Sequence, residues 1–228
     1  KSEFMSVLSH ELRPPLTIVI GYASFLSELK RHNLAKLEPE EKPASEHFTK
    51  MGDQAELYGQ RIKFAGGQLL TIINDILDYS RIEAGKMPIE QTSFSLEDLV
   101  SESLALFQHK AHVHSNTLQT ELDHNLGERC LGDPVRLRQI LVNLIGNAVK
   151  FTNQGHVTAR VTGVPHPEDN TVMLHISIED SGIGIPEEKV QHIFGEFNRV
   201  EDETNRQFEG TGLGLAITER LIKMMDGE

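Results

Sequence analysis

The chain has 228 residues, of which 38% are hydrophobic, and a formal net charge of -12 at pH 7. This length allows two modest domains with separate cores, and the excess of 34 acidic over 22 basic side chains argues against a surface that binds nucleic acid or anionic membranes. Cys130 is the only cysteine, which excludes an intrachain disulfide framework and indicates a reducing, cytoplasmic location. No apolar run is long enough to span a bilayer, so we expect no direct membrane contact.

The first predicted helix runs from about Ser2 to Asn33 and carries a histidine on its outer side. With Met5 at heptad position a, His10 falls at f, away from the apolar seam, with Glu11 beside it. An imidazole is nucleophilic near neutral pH, and a neighbouring carboxylate can orient it and accept its proton, although an exposed histidine alone is more often a solvated surface residue. The a and d positions of this helix are apolar: Leu8, Leu12, Pro15, Val19, Tyr22, Leu26 and Leu29.

Two prolines follow the histidine by one helical turn. Pro14 and Pro15 each lack the amide that would bond a carbonyl four residues back, so we expect a bend beside His10. Because Lys1 already falls within the helical pattern, we also expect this chain to be a fragment whose upstream part, with any sensor or membrane anchor, is missing.

A second long helix is predicted after a proline-containing loop at residues 34–46. Its apolar residues recur three and four apart from Phe48 to Tyr79, so the two helices should form a hairpin. Both apolar faces are too wide for two helices to cover, which predicts that two chains pair as a homodimeric four-helix bundle. One heptad position holds glycine three times, by chance or because another helix approaches closely there: Gly52, Gly59 and Gly66.

After Ala84 the pattern changes to alternating helices and strands, which predicts an α+β protein with domains at 1–83 and 93–228 joined by a linker at 84–92. Local signals such as the Ser95 capping box and the Asp133-Pro134 helix start define the elements. We predict helices over 95–106, 134–151 and from Gly210 to about Met225, strands over 117–122, 155–164 and 172–180, and a mobile flap over 187–209.

Three motifs of the second domain suggest nucleotide chemistry. Asn143, Asn147 and Lys150 share one helix face, where an amide oxygen suits Mg²⁺ and a lysine suits phosphate, although a plain polar face has the same pattern. Asp180 ends a strand and precedes glycines that let a ligand approach the backbone, and its carboxylate could accept from a purine amine. These glycines are Gly182 and Gly184.

The third motif is a glycine-rich turn that opens the last helix, whose free amides suit phosphate. It is neither a Rossmann fingerprint, because no strand leads into it, nor a Walker A loop, because no Gly-Lys-Ser/Thr follows. Its residues are Gly210, Thr211, Gly212, Leu213 and Gly214.

In this order, the motifs make the chain resemble a sensor histidine kinase over nearly its whole length. The sequence around His10 resembles the phosphoacceptor box, the Asn143 helix the asparagine box, and the segments after Asp180 and Gly210 the two glycine boxes. Between the glycine boxes, Phe194 and Phe197 match the phenylalanine box.

The resemblance implies a GHKL-type α/β sandwich that binds ATP and Mg²⁺, preceded by the dimeric hairpin. It implies that His10 accepts the γ-phosphoryl group, with Glu11 as general base, and passes it to an aspartate of a response-regulator receiver domain. The nucleotide contacts that it implies are Asn147 to Mg²⁺, Lys150 and Arg206 to phosphate, and Asp180 to adenine.

Two departures from the family qualify this expectation. Pro14 stands where the family usually has Thr or Asn, which predicts a weak phosphatase. The chain ends at Glu228, before the family's last two strands, which predicts a truncated ATP-binding domain.

Rival functions predict different chemistry. A related ATPase would need a Glu as base for water at position 143, where an asparagine cannot accept a proton. A catalytically silent scaffold would bind partner helices, and ATP binding without autophosphorylation would favour it. A metal site formed by His109, His112 and His114 is a third alternative, against the simpler interpretation that they lie at a solvated helix end.

Overall fold

The computed structural model describes residues 12–26, 44–123, 129–166, 171–195 and 212–228. The chain divides into two compact units, Lys1–Asp78 and Tyr79–Glu228. In the described residues, no helix combines the length and the apolarity needed to cross a membrane.

The first unit contains a helix over residues 12–26 (α1) and most of the helix Ala44–Glu83 (α2). Pro14 and Pro15 lie inside α1, and Pro15 is buried, as expected for the seam. An aromatic cluster joins the two helices, because the Tyr58 ring centroid lies 5.4 Å from that of Tyr22 and 5.7 Å from that of Phe25. The predicted hairpin is therefore confirmed over its described part.

The apolar surface of this unit is wider than one hairpin can cover. Phe25 is 54% exposed and Phe64 is 63% exposed. Among the described residues, nothing lies within 4 Å of a Cβ added at Gly52, Gly59 or Gly66, so no described helix of this chain approaches the glycine row. Further exposed apolar residues of the two helices are Leu16, Ile18, Ile20, Leu57, Leu70, Ile73 and Leu77.

The second unit is a two-layer α/β arrangement. Its helices are Leu96–Ala105 (α3), Gln108–Val113 (α4), Pro134–Phe151 (α5), Glu187–Val190 (α6) and Gly214–Met224 (α7). Its strands are Thr92–Phe94 (β1), Thr117–Leu122 (β2), Cys130–Gly132 (β3), His156–His166 (β4) and Thr171–Asp180 (β5).

The main sheet has the order β2-β4-β5, with β2 parallel to β4 and β5 antiparallel to β4. Thr117 pairs with His156 at one end of the parallel ladder, and Val157 pairs with Asp180 in the antiparallel one. A separate antiparallel pair joins β1 to β3. The sequence predicted neither the short strands β1 and β3 nor the short helices α4 and α6, because such short elements show no measurable hydrophobic period.

The core lies between the sheet and the helices α3 and α5. On β4, Val157, Ala159 and Val161 point into the core and are completely buried. Arg160 faces outward between Glu121 and Glu179. On α5, Leu141, Ile145 and Val149 recur every four residues and are also completely buried. This packing fixes α5 on the sheet and turns its opposite side toward the candidate site.

Candidate functional site

The helix α5 carries the first predicted motif, and its start is fixed by its own sequence. Asp133 caps it, because Oδ1 accepts from the amides of Val135 and Arg136 at 3.0 Å each, and Pro134 takes the first helical position. Oδ2 accepts from the amide of Glu90 at 2.9 Å. Burial raises the pKa of Asp133, but the three amides and the charge of Arg136 outweigh it and lower this pKa overall.

The side of α5 away from the sheet presents the three predicted polar residues. Asn143, Asn147 and Lys150 are all half-buried. The Lys150 ammonium lies 4.8 Å from the ring centroid of Phe151, within the range of a cation–π contact. This helix face thus carries an amide oxygen and an ammonium, groups that suit a metal ion and a phosphate.

The turn after β5 packs on the carboxyl end of α5. The exposed Asp180 accepts from the amide of Gly182 at 2.9 Å through Oδ1, and the amide of Ile183 donates to the carbonyl of Phe151 at 3.3 Å. A Cβ at Gly182 would lie 2.4 Å from that carbonyl oxygen, so only glycine fits. Gly184 has φ +69°, a left-handed conformation that also favours glycine.

Residues that the sequence did not reveal hold this turn in place. Ser181 Oγ accepts from the amide of His156 at 2.9 Å. Asn116 donates to the carbonyl of Thr152 at 2.7 Å and accepts from the amide of Gly155 at 3.0 Å, which fixes the loop after α5. The only sequence signal was that Ser181 and Asn116 are short polar residues in predicted loops, which is common in any loop.

The described part of the third motif packs against the middle of α5. Gly212 has φ +68°, and Leu213 is 1% exposed, so its side chain belongs to the core. A Cβ at Gly214 would lie 2.3 Å from Asn143 Oδ1, which explains the glycine at the start of α7. The amide nitrogen of Asn143 donates to Thr218 Oγ1 at 2.8 Å. The first turn of α7 leaves backbone amides without intrahelical partners, an arrangement suited to an anion.

Five predicted site residues lie outside the described residues, namely His10, Glu11, Arg206, Gly210 and Thr211. Within the described residues, no group of three or more His, Cys, Asp and Glu is placed to hold a metal ion. The alternative metal site is thus unsupported: His109 and His112 lie exposed on α4, and His114 caps its end.

The structure therefore brings the described parts of all three motifs onto one helix. The Asp180 turn packs on the end of α5, and the start of α7 packs on its middle. A carboxylate, an amide, an ammonium and a helix amino terminus are the groups needed for a purine amine, a divalent cation and phosphates.

Two family profiles match the chain in the same order as the units. Residues 1–85 match the His Kinase A (phospho-acceptor) domain. Residues 132–228 match the family described as histidine kinase-, DNA gyrase B- and HSP90-like ATPase.

Sequence and structure comparisons agree with the profiles. The chain is 39% identical over 230 residues to the sensor histidine kinase GacS of Pseudomonas protegens, and it covers only 23% of the length of GacS. The crystal structure of full-length ShkA in complex with AMPPNP superposes with a TM-score of 0.61 at 27% sequence identity. The match covers 93% of this chain and 41% of the ShkA chain. The histidine kinase ThkA, in complex with the response regulator TrrA, superposes with a TM-score of 0.59 at 25% sequence identity. The match covers 99% of this chain and 55% of the other chain.

Both halves of the chain thus match parts that occur together in these kinases. A helical phosphoacceptor region precedes a GHKL-type α/β domain, as the resemblance implied. The chain belongs to the histidine kinase family and forms the catalytic core of such a kinase.

Proposed function

We propose that this chain transfers the γ-phosphoryl group of ATP to its own His10 and then to an aspartate of a response-regulator receiver domain. The observation that carries the proposal is the convergence of three motifs on α5, in a unit that matches an ATPase family and follows a phosphoacceptor unit. The AMPPNP complex of ShkA and the response-regulator complex of ThkA support the same donor and partner.

In this proposal the nucleotide lies along α5. Asp180, held by the Gly182 amide, accepts from the adenine amine, and the tight Gly182 turn lets the base approach the backbone. Lys150 contacts phosphate, and the Gly212–Gly214 turn and the start of α7 offer backbone amides. Arg206, Gly210 and Thr211 complete the phosphate contacts.

A metal ion fits the donor set of this site. The side-chain amide nitrogen of Asn143 is bonded to Thr218, and Asn147 is the next amide on this face of α5. A single amide oxygen suits Mg²⁺, because this ion usually keeps several waters and phosphate oxygens as its other ligands. Mg²⁺ held there by Asn147 would neutralise charge on the phosphates.

The proposed transfer makes one bond and breaks one. A His10 ring nitrogen attacks the γ-phosphorus, the bond to the bridging oxygen breaks and ADP leaves, while Glu11 takes the ring proton. Asn143 cannot act as a base for water, and its amide is bonded to Thr218. Transfer to a side chain is therefore favoured over hydrolysis.

Incubation with γ-labelled ATP tests this function. We expect a label on the protein that is labile in acid and stable in base, as for a phosphoramidate, and its loss in His10→Gln with ATP affinity unchanged. Acid-labile label that persists in His10→Gln would place the acceptor elsewhere. ATP binding without any label would favour the silent scaffold.

The proposal includes a homodimer, because the hairpin leaves large apolar side chains exposed, among them Phe64 at 63%. Phe64→Asp should shift the chain toward monomer in light scattering, whereas Lys63→Asp at an exposed neighbouring position should not. A monomeric wild-type chain would refute this part.

The reducing cytoplasm indicated by the lone Cys130 remains the proposed location.

A further inference from the structure

The contact between α5 and α7 contains a hydrogen bond to which the proposed function gives no part in holding the nucleotide. Asn143 Nδ2 donates to Thr218 Oγ1 at 2.8 Å, and Thr218 is 2% exposed. The other side of the same amide is also fixed, because Oδ1 lies so close to Gly214 that a Cβ there would approach it to 2.3 Å. Donor and acceptor ends of Asn143 thus both contact α7.

This hydrogen bond can fix the rotation of α7 against α5, which apolar packing alone cannot. Leu213, Ile217 and Leu221 are at most 3% exposed and hold α7 in the core, but apolar contacts are non-directional and tolerate small rotations and slides. A hydrogen bond restricts distance and angle. Thr218 lies four residues after Gly214 and so on the same side of α7, where its hydroxyl fixes the rotation of this helix against α5.

We propose that Thr218 is a positioning residue for phosphate binding. Through Asn143, it sets the direction in which the Gly212–Gly214 turn and the first amides of α7 point. Thr218 itself touches no nucleotide in this proposal, which rests on the proposed function. The simpler alternative is a buried hydroxyl that only adds stability.

Three variants of the complete 228-residue chain separate these alternatives. Thr218→Val removes the hydroxyl at nearly constant shape, and Thr218→Ser retains it. Ser103→Ala is the matched control, because Ser103 is a completely buried hydroxyl on α3 that donates to the carbonyl of Leu99 at 2.6 Å. Affinities for ATP and for adenosine, with Mg²⁺, are measured by calorimetry or by competition with a fluorescent nucleotide, and urea unfolding gives stability.

We expect Thr218→Val to weaken ATP binding about fivefold to tenfold, as for the loss of one hydrogen bond. Adenosine has no phosphates, so its affinity should stay unchanged in this variant. Thr218→Ser should restore ATP affinity, and Ser103→Ala should lower stability with unchanged ATP affinity.

A double-mutant cycle tests the route through Asn143. Once Asn143→Ala is present, Thr218→Val should have little further effect on ATP affinity, because the bond is already lost. Gly214→Ala, whose Cβ would displace the Asn143 amide, should also weaken ATP more than adenosine.

Equal ATP affinity in Thr218→Val and wild type, or equal losses for ATP and adenosine, would overturn the positioning role. Additive effects in the cycle would do the same. A wild-type chain that binds no ATP would instead refute the proposed function on which this inference rests.

Discussion

The cap of α5 allows a quantitative test of how the second unit is held together. Asp133 is 3% exposed, and its carboxylate accepts from the amides of Val135, Arg136 and Glu90. Removing an N-cap costs about 1 kcal/mol and leaving the Glu90 amide without its partner about 1–3 kcal/mol, so Asp133→Ala should lose about 2–4 kcal/mol of unfolding free energy. Glu97→Ala, at an exposed acid of the first turn of α3, should change it by less than about 0.5 kcal/mol.

The Asp133 carboxylate should also make the free energy of unfolding depend on pH. The folded pKa of Asp133 is lowered, so its contribution is complete above the ordinary aspartate pKa and is lost as the pH falls through the folded value. The deficit of Asp133→Ala should therefore be largest at neutral pH and should shrink below about pH 4.

Urea unfolding followed by circular dichroism measures these free energies. Cys130 is the only cysteine and lies in β3, next to Asp133, so pulse labelling of its thiol reports when this part of the second unit unfolds. A neutral-pH deficit no larger than that of Glu97→Ala would refute the assignment of Asp133 as a stabilising cap. A deficit that did not shrink in acid would show that the charge of Asp133 contributes nothing.

Three further predictions concern the site and the phosphoacceptor helix. Asp180→Asn should weaken ATP binding about tenfold or more by replacing a charged acceptor, with little change in unfolding; unchanged affinity would remove Asp180 from the adenine site. Gly182→Ala should weaken ATP binding more than Gly184→Ala, because only the first Cβ would collide with the Phe151 carbonyl; calorimetry showing the reverse order would contradict this. Pro14→Thr should accelerate dephosphorylation of a phosphorylated receiver domain in the presence of ADP, whereas acceleration by the wild-type chain would refute the proposed weak phosphatase.

Caps, prolines and alternating apolar residues correctly predicted the helices and strands in which they occur. The Asp133-Pro134 start and the Phe151 end of α5 are confirmed, as are the bounds of β2, because a cap, a proline and an alternating pattern act within a few residues. The seam of the hairpin is confirmed in its described part by the burial of Pro15 and Ala65. The motifs that carry the resemblance were likewise visible in the order of the residues alone.

Tertiary structure decided how these elements meet. The partner of Asn143 is Thr218, 75 residues later, and no local pattern marks it, because the bond exists only after α5 and α7 pack on one core. The parallel pairing of β2 with β4 was also undetermined, since strand direction depends on the path of the chain between them. The sequence thus determined which chemical groups this protein carries, and long-range packing determined which of them lie close enough to act together.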